Sequence, residues 1–482
     1  MEGGLAMLPF RRVPMTNLAF MKRCCIGLCC VLFGLALATC SQSSSSQTSP
    51  AKPGPTVSDP ADFARVTDEV MAQMSKILGL TQLEPLKKTL RSREEIRAYV
   101  LKQMDEDKEP EKRYADERMM EKMGLLPKNF PFDSFLVDLL TEQIAGLYDP
   151  KAKEFYIADW MDPKEQQVVM AHELTHALQD QHYRIDAWRD AAKPNDDAET
   201  ARDAVLEGSA TAAMIDYGLR QQGSSLNAIA GVNVSLSSLL GNLDNSPLLA
   251  KAPAFLRDSL EFPYGAGADF CMEVLRKGGG WKGFDSLFQK PPVSTQQVLH
   301  PDLYFRGVMP VAVALPDLTH DLPEGWKALD SNIMGEFGLQ EFLKEFLSLD
   351  RADDLAPLWN GDRYTIYEKK ENKDAREDIL VIRIKAANTA DASRLFGGFS
   401  EAFDKKYKNR KNLVRRPNFF SFDSDEGGVF LRCVGADCVT LEGGDLKLFD
   451  TLVHELGWPA NPASSGPPSE GVKAQLIPQM MF

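Results

Sequence analysis

Apolar residues recur at three- and four-residue spacing over 62–78, 92–105, 132–145, 163–183, 197–220 and 267–278, which predicts six helices. Between them, Ala145-Gly146-Leu147-Tyr148 and Glu154-Phe155-Tyr156-Ile157 flank the turn-like Asp149-Pro150-Lys151-Ala152, a hairpin pattern. Further on the period shortens. Arg363 to Glu368 and Ile379 to Ile384 read as strands, and Ala390 to Tyr407 as a helix with Thr389 as N-cap. Gly428 to Val434 and Cys438 to Leu441 read as two more strands, followed by a helix from Leu446 to Leu456. The pattern predicts an α+β protein: a mainly helical domain over 61–350 and a smaller antiparallel α+β domain over 355–482. The second domain carries no catalytic constellation.

Ahead of these, Met21-Lys22-Arg23 precedes a 16-residue apolar run from Cys24 to Thr39. A spanning helix needs about 20 such residues, so the run reads as a processing signal. Leu37-Ala38-Thr39-Cys40 resembles a lipobox, which makes Cys40 the expected lipidation site and residues 1–40 a lipoprotein signal peptide. Thr39 stands where Gly, Ala or Ser is usual. The Ser- and Pro-rich stretch 41–60 reads as a flexible tether. The expected product is exported and anchored to a membrane by lipid, facing the periplasm or the cell exterior.

The predicted helix 163–183 contains His172-Glu173-Leu174-Thr175-His176, one H-E-x-x-H motif in a chain with six His. His172 and His176 are four apart, so they share one face, one turn from each other, and can bind a single Zn²⁺. Glu173 faces the same side as a general base. Asp162, Pro163 and Glu165 supply a helix start and capping box, and Val168, Val169, Ala171, Leu174, Ala177 and Leu178 argue for burial. Buried imidazoles need partners, which a metal or core hydrogen bonds would provide.

A catalytic zinc takes three protein ligands and leaves a position open. Glu207 is one candidate for the third. It sits on the predicted helix 197–220, capped by Asp196 or Asp197, and Gly208-Ser209-Ala210-Thr211-Ala212-Ala213 follows it, a small-residue face on which another helix can pack closely. His182 and Asp203 are the alternatives. His182 lies six residues beyond His176, but Gln179 stands where a turn-forming Gly would be needed; if the helix continues, His182 is about 9 Å further along its axis. Tyr264 and His300 are candidates to stabilise a developing oxyanion.

With His172, Glu173, His176 and Glu207 in place, the chain resembles the thermolysin-like zinc peptidases, the gluzincins. More closely it resembles a group of bacterial lipoproteins with a predicted metallopeptidase domain. The stretches carrying that second likeness include Ser92-Arg93-Glu94-Glu95, Gly146-Leu147-Tyr148-Asp149-Pro150, Phe262-Pro263-Tyr264, Ser294-Thr295-Gln296-Gln297-Val298-Leu299-His300-Pro301 and Trp359-Asn360-Gly361-Asp362-Arg363-Tyr364. The resemblance implies one catalytic Zn²⁺ on His172, His176 and Glu207, with Glu173 as base. It implies a peptide or protein substrate, an endopeptidase in preference to an exopeptidase, and a strand before the motif helix along which substrate lies. Thr211 stands where thermolysin has an Asp, so the partners behind the ligands are open, with Asp180 and Asp203 as candidates. Two other readings stay in view: an envelope binding or assembly lipoprotein with a structural or degenerate metal site, and metal hydrolysis of a non-peptide bond.

The net charge is −14, and −17 without residues 1–40, which hold four Lys/Arg and one Glu. So acidic a chain is not expected to bind nucleic acid, nor an anionic membrane surface electrostatically. Four of eight Cys (Cys24, Cys25, Cys29 and Cys30) lie in the signal's apolar run, and Cys40, Cys271, Cys433 and Cys438 remain in the exported chain. Cys433 and Cys438 end two strand-like runs, and a turn at Gly435-Ala436 would set them opposite, so a disulfide is expected in an oxidising compartment.

Overall fold

A computed structural model describes residues 60–106, 109–161, 163–229, 235–239, 246–370 and 376–460. The signal segment, Cys40, tether residues 41–59, Asp162 and the side chains of residues 163–165, and with them the expected capping box, lie outside what is described. The fold is α+β, helical in its first part and sheet-based in its second.

The expected helices form at Pro60–Leu78, Arg93–Asp105, Phe132–Gln143, Pro163–Tyr183, Asp196–Gln221 and Ala254–Gly278. Ser92 and Glu95 close a reciprocal capping box on the second. Two caps differ from expectation. Asn195, not Asp196 or Asp197, accepts the Ala198 N–H at 3.0 Å, which frees both aspartates for partners across the fold. Asn388, not Thr389, caps the later helix Thr389–Lys406 by accepting from Asp391 N–H. A further helix, Pro110–Met123, buries Arg113, Arg118 and Lys122 alongside Met119, Met120 and Met123, with Arg118 and Lys122 paired to carboxylates.

Strands β1 (Lys87–Arg91), β2 (Gly146–Asp149) and β3 (Glu154–Ala158) form a small sheet in the order β1-β3-β2, with β1 parallel and β2 antiparallel to β3. β2 is therefore an edge strand, and it lies against the helix Pro163–Tyr183. Gly146 permits that approach, because a Cβ there would fall 2.6 Å from Val169 Cγ1.

The second sheet is antiparallel throughout: β4 (Trp326–Asn332), β5 (Trp359–Lys370), β6 (Arg376–Ala386), β7 (Lys411–Arg416), β8 (Phe419–Ser424), β9 (Gly427–Val434) and β10 (Asp437–Gly444), in the order β4-β5-β6-β10-β9-β8-β7. β4 pairs with β5, so this sheet draws on residues well before the 350–355 divide expected from the sequence. The strands alternate. Ile366, Leu380, Ile382 and Leu431 face a core continuous with the helical part, which includes Phe342, Phe399 and Phe403. Tyr367, Val381, Phe430 and Leu441 face a second core under the helix Leu446–Glu455, where Phe430 and Phe449 stack at 4.9 Å. Cys433 and Cys438 are register partners on β9 and β10 and are joined by a disulfide. Among the described residues no helix is long and apolar enough to cross a membrane.

Candidate metal centre

Three helices build the site. The motif helix Pro163–Tyr183 buries Val169, Met170, Ala171, Leu174, Ala177 and Leu178, and this packing turns His172, Glu173 and His176 inward. The ligand helix Asp196–Gln221 carries Glu207 to meet them. Gln179 Nε2 donates to Ser209 Oγ across the two helices at 2.7 Å. The crossing helix Ala254–Gly278 packs on the small-residue face after Glu207. There a Cβ on Gly208 would fall 2.1 Å from the Gly267 carbonyl carbon, and one on Gly267 2.3 Å from the Ala204 oxygen.

His172 Nε2, His176 Nε2 and Glu207 Oε2 form a small triangle. The two nitrogens are 3.1 Å apart, and Glu207 Oε2 is 3.1 Å from His172 Nε2 and 3.5 Å from His176 Nε2. All three residues are buried. Hydrogen bonds satisfy this arrangement only in part. A neutral imidazole nitrogen either donates or accepts. Both imidazoles can donate Nε2–H to Glu207 Oε2, but the two nitrogens then meet donor to donor at 3.1 Å, and each Nδ1 is left buried without a hydrogen-bond partner. A cation at the centre satisfies all three atoms. Ligands about 2.0–2.1 Å from a tetrahedral zinc are separated by about 3.3 Å, the size of this triangle. Burial, opposed by the Glu207 hydrogen bond, brings His172 down to about 4, so it is neutral near pH 7. Burial pushes Glu207 up, but the two imidazoles outweigh it and hold its carboxyl below the ordinary value. A neutral imidazole and an ionised carboxylate are the forms that ligate a metal.

Glu173 is buried beside the triangle and outside it. Its Oε2 accepts the Tyr148 backbone N–H of β2 at 2.9 Å, while Oε1 has no hydrogen-bond partner. Burial and then the Glu207 carboxylate push Glu173 well above the usual carboxylate range, against the pull of the Tyr148 N–H. Tyr148 does more than the sequence disclosed. Its hydroxyl donates to Asp180 Oδ2 at 2.7 Å, so β2 is buckled to the motif helix at two points, two turns apart. The motif Gly146-Leu147-Tyr148-Asp149-Pro150 was the signal for it.

The other sequence candidates divide. The Tyr264 ring stacks 6.0 Å from that of His172, at the centre. His300 is instead paired with Glu336, Nε2 to Oε1 at 2.7 Å. His182 lies 2.8 Å from the Thr81 carbonyl oxygen and takes no part in the cluster. Asp180 serves Tyr148 and Lys153 rather than an imidazole. Asp203 faces the buried Arg189, whose charge it helps hold against burial. A second acidic group, Asp116, Asp196 and Asp330, already has a cation: the Lys112 ammonium contacts all three.

A family model described as a domain of unknown function (DUF8575) matches residues 324–450, the sheet-based part, and stops short of the metal centre. No curated protein and no solved structure matches the chain.

Proposed function

We propose that the chain is an exported, membrane-anchored zinc metallopeptidase that hydrolyses internal peptide bonds. One observation carries the reading: two imidazole nitrogens and a carboxylate oxygen converge in a buried triangle of the size a zinc ion takes, with a buried non-ligand carboxylate beside it. His172, His176 and Glu207 would hold the ion. When bound, zinc lowers the pKa of water to about 7 and polarises a carbonyl oxygen. Glu173 does the proton work. Its Oε2 is fixed by the Tyr148 N–H, so Oε1 takes a proton from the attacking water and delivers it to the nitrogen as the C–N bond breaks. Tyr264, whose ring stacks on that of His172, is the candidate donor to the oxyanion. The lipid anchor at Cys40 and a peptide or protein substrate belong to the same reading.

A second reading is a binding or assembly lipoprotein whose metal is structural. The complete burial of His172, Glu173, His176 and Glu207 favours it, since a catalytic ion needs access for substrate. One experiment separates the two: purified protein with measured zinc content, incubated with mixed peptides, with and without chelator. Cleavage that chelator abolishes while the fold persists supports the peptidase. Bound zinc, no cleavage, and unfolding on chelation support the structural site.

A further inference from the structure

The chain is acidic as a whole, but its charge is unevenly placed. Residues 405–416 hold seven Lys/Arg and no Asp/Glu; the total is −14, so the remainder carries −21. Lys406 is buried against Glu442. The other six, Lys405, Lys408, Arg410, Lys411, Arg415 and Arg416, lie along β7 and the turn that leads into it from the helix Thr389–Lys406. β7 is an edge of the seven-stranded sheet, opposite β4. Its six residues spread this charge over about 20 Å. Few acids offset it. Glu401 pairs with Lys405, and Asp404 alone serves both Arg410 and Arg415. Lys408 and Lys411 are exposed and form no salt bridge among the described residues. Leu413, between Lys411 and Arg415 in sequence, is exposed as well.

An edge strand offers unpaired N–H and C=O groups to a further strand. β7 offers them unevenly. Its pairing with β8 slips between Lys411 and Val414, and Asn412 there takes a left-handed φ of 52°. That geometry resists the addition of a strand, whereas a flat anionic surface needs no register. We propose that β7 is the face this chain lays on an anionic phospholipid bilayer, its cations against headgroup phosphates and Leu413 at the headgroup boundary. The inference rests on the lipid-anchored part of the proposed function, which supplies the bilayer, and is independent of the peptidase part. The net negative charge does not oppose it, because beyond a Debye length of about 10 Å the remaining charges are screened and the local patch decides. The 19 residues between Cys40 and Pro60 can span up to about 65 Å, more than the roughly 55 Å width of a folded body of about 400 residues. The anchor by itself therefore leaves the body's orientation open, and the charged edge selects it.

The test uses the mature chain, Cys40–Phe482, carrying Cys40→Ala so that no lipid is attached. It is sedimented with vesicles of phosphatidylcholine alone or with one-third phosphatidylglycerol. The anionic vesicles are expected to bind it at least about tenfold more tightly at about 0.1 M salt, and to lose that advantage at about 0.5 M. Each cation near such a surface is worth about fivefold, so Lys408→Gln with Lys411→Gln should weaken anionic binding about 25-fold. Lys282→Gln with Lys327→Gln removes the same charge from exposed positions elsewhere, Lys327 being on the opposite edge strand β4, and should leave binding unchanged. Equal binding to the two kinds of vesicle, or equal losses in the two double variants, overturns the proposal. Duplex DNA or polyglutamate that binds β7 as tightly as the anionic vesicles overturns the bilayer as its partner. Because the tested protein carries no lipid, none of these outcomes depends on the anchor, which the mass of the exported N-terminus reads separately.

Discussion

Glu173 and Glu207 are both buried carboxylates beside His172, and their neighbours give them different tasks. Glu207 Oε2 points at two imidazole nitrogens, whereas Glu173 spends one oxygen on a backbone N–H and keeps the other without a partner. Glu173→Gln is therefore expected to retain zinc and lose about 10³-fold or more in peptide cleavage, because an amide has the shape but cannot take the proton. Glu207→Ala and His172→Ala are expected to lose both, since two remaining ligands are too few. Metal content and cleavage measured on the same purified samples check this; a Glu173→Gln protein cleaving near the wild-type rate would remove the base from the mechanism. Tyr264→Phe keeps the ring against His172 and deletes only the hydroxyl. If that hydroxyl serves the oxyanion, turnover should fall about 10²-fold with zinc content unchanged. The H-E-x-x-H motif was legible because its spacing is itself the geometry. The motif around Tyr148 was legible too, but its role was not, because it acts on Glu173 through a backbone N–H that any residue could supply.

At the scale of elements, the closest joint is between the ligand helix and the crossing helix. Gly208, Gly267 and Ala204 meet backbone to backbone, so any side chain at Gly208 must push the two helices apart. Gly208→Val is expected to destabilise the fold by roughly 3 kcal/mol or more and to weaken zinc binding by displacing Glu207, as read from thermal unfolding and metal titration. A variant with normal zinc affinity and melting temperature would mean the helices already stand further apart. The small-residue run 208–213 announced this joint, and the Cys433–Cys438 pairing was equally legible from strand alternation around a short turn. Other elements were hidden for physical reasons. The helix Pro110–Met123 buries Arg113, Arg118 and Lys122, the last two salt-bridged to Glu121, Asp378 and Glu426, so apolar spacing misses it. The crossing helix was read only from 267, because Pro263 marks a break in sequence; in the fold the helix runs through it. β4 shows one buried position in seven, too little alternation to register as a strand.

Across the whole molecule, the candidate metal centre sits in the helical part and the seven-stranded sheet packs on that part through a shared core, so their junction matters. Three buried or half-buried groups hold it. Lys112 gathers Asp116, Asp196 and β4's Asp330. Asp197 accepts the N–H and hydroxyl of Thr295, whose oxygen in turn accepts the Phe337 N–H. His300 pairs with Glu336. All three respond to pH with one sign. Three carboxylates share one ammonium at Lys112. Burial, opposed by that ammonium, pushes Asp116 from 3.8 up to about 7. Burial, against the Thr295 hydrogen bonds, does the same to Asp197. Between those values the folded protein holds protons that the unfolded chain has released, so stability is greatest at the acid end of this window and falls as pH rises through it. The Glu336 hydrogen bond, against burial, raises His300 above 6.5. Its contribution is full below 6.5 and is lost as pH climbs through the raised value. Asp116→Asn keeps an acceptor for Lys112 but removes the titration. Its melting temperature relative to wild type should therefore climb by on the order of 5 °C from pH 4 to pH 7 and then level off. A difference that stays flat across that range would show that Asp116 is ionised in the folded protein, and that the junction holds by charge pairing rather than by a retained proton.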